Sequence, residues 1–159
     1  MQNQLFIKMT FDAFKFQLDR ADKLFNSLTD EQLAQEVAPG RNSGTYLFGH
    51  LIAVHDAMLP LIGVGDKIHP ELEEVFITKP DKSGLQKPPV SQLRDYWEQV
   101  NSMLVTKLES LTPEQWFGKH TAVSEEDFKK EPHRNKINIL ISRTNHLAYH
   151  AGQLAFLKK

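Results

Sequence analysis

The chain has 159 residues, close to one ordinary domain, and its 40% hydrophobic and 25% charged side chains place it among globular sequences, not disordered or fibrous ones. It contains no cysteine, which excludes disulfides, Cys-ligated zinc, iron–sulfur clusters, a thiol nucleophile and c-type haem attachment. Lys and Arg number 19 against 20 Asp and Glu, a formal net charge of −1, so no overall field gathers phosphates and no nucleic-acid partner is expected.

Met1-Gln2-Asn3-Gln4 has no basic region leading into a long apolar stretch, and no uncharged apolar run of about 18 residues occurs in the chain. A single cytoplasmic domain over residues 1–159, without a membrane partner, is the expectation.

Ile7, Phe11, Phe14, Leu18, Ala21, Phe25 and Leu28 alternate spacings of four and three, which gives a long first helix one apolar seam. Thr29 and Gln32 then have capping-box spacing and predict a short helical turn, which Pro39-Gly40 stops. A second helix is predicted from near Thr45, after the cap region Asn42-Ser43-Gly44, with Leu47, His50, Leu51, Val54, Met58 and Leu61 on one stripe. Pro60 should break or kink it, and Gly63 and Gly65 can close it.

From Gly63 to Val90 four prolines predict a long connection with one helical turn at Glu71-Leu72-Glu73-Glu74; Val75-Phe76-Ile77-Thr78 is the one run with good strand propensity. Ser91 is the expected cap of a third helix carrying Leu93, Trp97, Val100, Leu104, Leu108 and Leu111. Leu111-Thr112-Pro113-Glu114-Gln115-Trp116 echoes Leu28-Thr29-Asp30-Glu31-Gln32-Leu33, which fits an internal duplication and two ordinary helix starts equally well. A mixed polar segment from Phe117 to Arg134 leads to a last helix with Ile137, Leu140, Ile141, Leu147, Ala148, Ala151, Leu154 and Ala155. The fold read from this pattern is all-α: a four-helix bundle with short extra helical turns in its connections.

The chain has 7 histidines, and their placement separates them. His50 lies within the apolar arc of the second helix; His55, five residues on, is turned about 140° away. His146 and His150 stand one turn apart on one face of the last helix, in a row continued by Ile139 and Leu157. Such residues are either core histidines satisfied by carbonyls or carboxylates, or three neutral nitrogen donors meeting on a metal ion, and His50, His146 and His150 favour the second reading. The Glu of the H-E-x-x-H protease motif is absent between His146 and His150, and no Glu precedes a His by three, so zincin and di-iron bundle chemistry are disfavoured. His69, His120 and His133 fall in connecting segments and are expected at the surface.

Gly49-His50-Leu51 and Asn145-His146-Leu147-Ala148-Tyr149-His150-Ala151-Gly152-Gln153-Leu154 resemble, in pattern and order, the DinB/YfiT-like superfamily, and the resemblance covers nearly the whole chain. It implies a four-helix bundle, often a homodimer, in which His50, His146 and His150 bind a divalent metal ion, Zn or Ni. It also implies relatives that join low-molecular-weight thiols such as bacillithiol, mycothiol or glutathione to electrophilic small molecules, besides hydrolases and isomerases. Three reaction classes follow: a metal-dependent thiol S-transferase, a hydrolase using water activated by the metal, and a non-enzymatic stress-response or binding bundle with structural histidines. Asp56, Asn145 and Tyr149 are candidates to orient the imidazoles, though the wheel turns Asn145 and Tyr149 partly away; Gln153, seven residues after His146 on the same side of the helix, is expected in solvent, with the edge of the site as the alternative. Trp97, Trp116 and Phe76 are expected in the core, with a pocket lining as the alternative.

Overall fold

The computed structural model describes residues 1–158; Lys159 lies outside the described residues. Among the described residues, eight α-helices occur in the order α1 Gln2–Ser27, α2 Asp30–Leu33, α3 Gly44–Asp56, α4 Met58–Ile62, α5 Val90–Glu109, α6 Pro113–Phe117, α7 Glu125–Lys130 and α8 Lys136–Leu154. The architecture is all-α, and among the described residues the only β pairings are isolated bridges at Glu36–Ser43 and Lys119–Asn135. The long helices α1, α3, α5 and α8 form the bundle: α1 packs on α8, α3 on α5, and α3 also meets α8. Phe11, Phe14, Leu18, Ala21 and Phe25 of the expected α1 seam are all buried in the shared core.

The ends of these helices follow from local chemistry. Thr29 and Thr112 both form complete capping boxes, with Gln32 and Gln115 returning their side chains to the cap backbone. Arg94 reaches from α5 to the end of α1 and donates to the Phe25 and Leu28 carbonyls at 2.7 and 2.9 Å; the Phe25 carbonyl also accepts from the Leu28 N–H at 3.3 Å. The expected cap at Ser91 does not form: the helix begins two residues earlier than that cap would place it, at Val90, with Pro89 in the cap position. Proline supplies the extended backbone needed there, and its missing N–H is one the first helical turn would not have used.

The predicted second helix is divided. α3 ends at Asp56, and α4 resumes at Met58. Pro60 lacks the N–H that would bond to the carbonyl of Asp56, and its ring crowds that carbonyl, so the break falls one turn before the proline. Gly63 closes α4 in the left-handed conformation, at φ 77°. The segment 44–62 is long and apolar enough to cross a membrane by length and composition, but 72% of it is buried inside the fold, where α5 and α8 cover its apolar surface.

The long connection after α4 is tied back onto α3. The Asp56 carboxylate accepts from the backbone N–H groups of Ile68 and His69 at 2.8 and 2.9 Å, and the Tyr46 hydroxyl donates to the Lys79 carbonyl at 2.7 Å. Leu72 and Phe76 enter the core. The run with strand propensity, Val75–Thr78, is not extended: Glu74–Thr78 forms a π-helical turn packed on α3. Tertiary packing overrides β propensity here, because a lone strand would have no partner for its backbone groups.

Candidate metal centre

Three imidazoles converge where α3 faces α8. Nε2 of His146 lies 3.2 Å from Nε2 of His50 and 3.1 Å from Nε2 of His150. The ligand nitrogens of all three residues lie within 4.8 Å of one another. Nitrogens held tetrahedrally at about 2.0–2.1 Å from one zinc ion stand about 3.3 Å apart, so the spacing suits a shared ion. All three residues are half-buried.

The outer nitrogen of each ring decides what the inner one can do. Nδ1 of His50 is 2.7 Å from the carbonyl oxygen of Phe76, which can only accept, so Nδ1 carries the proton and Nε2 holds a lone pair. Nδ1 of His150 is likewise 2.7 Å from Oε1 of Gln153. Both neighbours therefore aim lone pairs at Nε2 of His146, which has at most one proton to give. Nδ1 of His146 is buried without a partner. No arrangement of protons on neutral rings satisfies this cluster, whereas a cation among the three nitrogens takes all three lone pairs.

The electrostatics favour neutral, ligating rings. Burial depresses His146 to about 3, reinforced by His150, His50, Arg143 and His55. His150 is also lowered, by burial and by His50, with the Gln153 hydrogen bond opposing. Protons therefore compete weakly for the nitrogens of these two rings at neutral pH.

The Phe76 carbonyl reaches His50 because of Gly49. A Cβ on Gly49 would stand 2.3 Å from the Phe76 ring, so only glycine lets the π-helical turn approach α3 this closely. Nothing in the sequence marks Phe76 for this role, because its contribution is a backbone oxygen; the adjacent Gly49-His50 pair is the one signal available. Gln153 takes the alternative place at the edge of the site, not the expected one in solvent: it accepts from His150, since three residues on α8 is the distance at which side chains meet.

The other candidates fall elsewhere. Tyr149 is 64% exposed and touches the edge of His150, with ring centroids 5.1 Å apart. Asn145 is exposed, and Asp56 binds backbone and no imidazole. Trp97, Trp116 and Phe76 are core residues. His133 is exposed as expected, but His69 and His120 are buried, with 9% and 8% of their surfaces accessible. His69 is drawn in by the Asp56 carboxylate and stacks on Tyr96 at 3.7 Å between centroids. His120 is carried inward by the neighbouring Thr121, whose N–H donates to the Leu61 carbonyl at 2.9 Å. A cavity of about 660 Å³ lies between α1 and α5 beside Asp22, Arg94 and Trp97 and includes none of the three clustered histidines.

An all-α bundle whose facing helices bring three imidazoles together is compatible with the class of metal-dependent helical-bundle enzymes. The family model of the DinB superfamily matches residues 13–154, and the chain belongs to that superfamily. Its fold is similar to that of a conserved protein from Enterococcus faecalis of known crystal structure, with a TM-score of 0.65 over 95% of this chain and 94% of that one at 16% identity. No curated protein matches the chain in sequence.

Proposed function

We propose that the protein is a divalent-metal-dependent enzyme that joins a low-molecular-weight thiol to an electrophilic small molecule, with His50, His146 and His150 as ligands to zinc or nickel. The observation that carries this reading is the convergence of the three ring nitrogens, two of them aimed by partners on their far sides. A divalent ion held by neutral imidazoles alone keeps its full charge and an open position, which favours a thiolate over a thiol.

The chain's own residues hold and aim the site. The Phe76 carbonyl and the Gln153 side chain set the tautomers of His50 and His150, and burial keeps His146 neutral. The absence of cysteine leaves no internal thiol to compete for the open position or for the electrophile. In the transfer, sulfur bonds to the electrophilic carbon as the bond from that carbon to its leaving group breaks; the thiol proton passes to solvent, and the leaving group departs with the electron pair.

The test begins with metal content. Tag-free wild type and His146→Ala are incubated equally with zinc and nickel, freed of unbound metal and analysed for their elements. About one ion per chain in the wild type, and none in the variant, is the expected result. The loaded protein is then assayed with a panel of electrophiles, with and without added thiol. Turnover that needs the thiol supports transfer, turnover without it assigns a hydrolase, and no metal uptake by the wild type overturns the metal-dependent reading.

A further inference from the structure

Among the described residues, four buried side-chain polar atoms lack a hydrogen-bond partner: His55 Nε2, Arg143 Nε, His146 Nδ1 and His120 Nδ1. The first three belong to α3 and α8, which pack against each other. Arg143 precedes His146 by three residues and His150 by seven, so all three share one face of α8. His55 is fully buried, with its ring between Phe14 and Trp97 at centroid distances of 5.8 and 5.4 Å.

The polarity of each unpartnered atom follows from its other bonds. Asn101 donates its amide nitrogen to the Trp97 carbonyl at 2.8 Å, which turns Oδ1 toward His55 Nδ1 at 2.7 Å. An amide oxygen only accepts, so His55 Nδ1 carries the proton, and its Nε2 is an acceptor. On the other helix, His146 must carry its proton on Nδ1 whenever Nε2 ligates an ion, and Arg143 Nε–H is always a donor. One buried acceptor thus matches two buried donors, none of them hydrogen-bonded to another. A single water fits that set, because it can accept from two donors and donate to the acceptor, and buried waters typically make about three such bonds.

We infer that a buried water joins His146 Nδ1–H and Arg143 Nε–H to His55 Nε2, making His55, itself seated by Asn101, a positioning residue for the proposed metal ligand His146. The cluster is also one electrostatic unit: burial dominates the lowering of both His55 and His146, the Arg143 charge lowers both further, and His55 acts on His146. The arrangement gives His146 what Phe76 gives His50 and Gln153 gives His150, so each of the three rings has its outer nitrogen engaged. It rests on the three-histidine metal reading proposed above.

The test uses the full chain with zinc. Competition against a chromophoric chelator measures affinity, and nitrogen-edited proton spectra of the zinc-loaded protein resolve the imidazole Nδ1–H signals. His55→Phe is expected to bind zinc ten- to a hundredfold more weakly, the range found when the outer partner of a metal-bound histidine is removed. The His146 Nδ1–H signal should shift upfield or vanish by exchange with solvent, while those of His50 and His150 stay in place. His55→Gln, which keeps an acceptor near the position of Nε2, should recover most of the affinity.

Should His55→Phe fail to fold, Asn101→Leu, which frees the His55 tautomer, should show the same losses. Unchanged affinity and an unchanged His146 signal in the folded variant, with the wild type binding zinc, would overturn the inference alone. Failure of the wild type to bind zinc would remove the metal reading, and this inference with it.

Discussion

His50 and His55 stand five residues apart on one helix, yet they occupy opposite kinds of environment. Around His50, where α3 faces α8, three half-buried rings point their inner nitrogens at one another. Around His55, in the core between α1, α3 and α5, the ring is sealed between Phe14 and Trp97, with one nitrogen bonded to Asn101. The first region has more lone pairs than protons and suits a cation; in the second the ring's one proton is held by Asn101 and burial keeps the ring neutral. Chemistry at a histidine is therefore set less by its burial than by what its two nitrogens meet.

The contrast breaks most visibly at His146. Free zinc at about 1,000 times its dissociation constant should stabilise the wild type by about 4 kcal/mol, and this stabilisation should vanish in His146→Ala. Thermal unfolding with and without zinc reads the difference; equal zinc-induced shifts in the two proteins would erase the distinction between the regions.

At His55 the expected effect is one of pH. Burial lowers this ring from 6.5 to about 4, so between those values the unfolded chain takes up a proton that the folded core refuses. Its contribution to stability is therefore complete above pH 6.5 and falls as the pH drops toward 4, by about 3 kcal/mol in all. Urea unfolding of zinc-free wild type and His55→Phe across that window should give curves that converge by this amount on acidification. Parallel curves would contradict a neutral, sealed His55.

Gly49→Ala should sharpen the comparison from the other side. The new methyl group would meet the buried Phe76 ring, costing about 1–3 kcal/mol in urea unfolding, and the displaced carbonyl should weaken zinc binding through His50. A variant of unchanged stability and affinity would show that the π-helical turn does not depend on this close approach. The smallest effect is expected for Gln153→Leu, on the exposed side of the cluster: about tenfold weaker zinc binding, with stability within about 0.5 kcal/mol of wild type.

Much of this was readable from residue order alone. The seam of α1, the two capping boxes and the Ile137, Leu140, Leu147 and Leu154 positions of the α8 stripe depend on contacts within a few residues and formed as their spacing predicts, while Ile141 and Ala155 of that stripe are exposed. The i, i+4 pair His146 and His150 was legible for the same reason, since helical geometry alone puts both on one face. The π-helical turn at Glu74–Thr78 was not, because its conformation answers to α3 rather than to its own β-branched residues. The inward positions of His69 and His120 were hidden too, as both are drawn in by partners distant in sequence, on α3 and α4.

By itself the sequence determined the all-α class, the helix starts and the identity of the histidines that would meet, because periodicity and capping are short-range properties of a chain. The tertiary structure decided which atoms face which. The bond from His50 to the Phe76 carbonyl spans 26 positions, and that from His55 to Asn101 spans 46. Such pairings exist only once α3 has packed against the π-helical turn, α5 and α8, and that packing sets the tautomers through which an imidazole becomes either a ligand or a support.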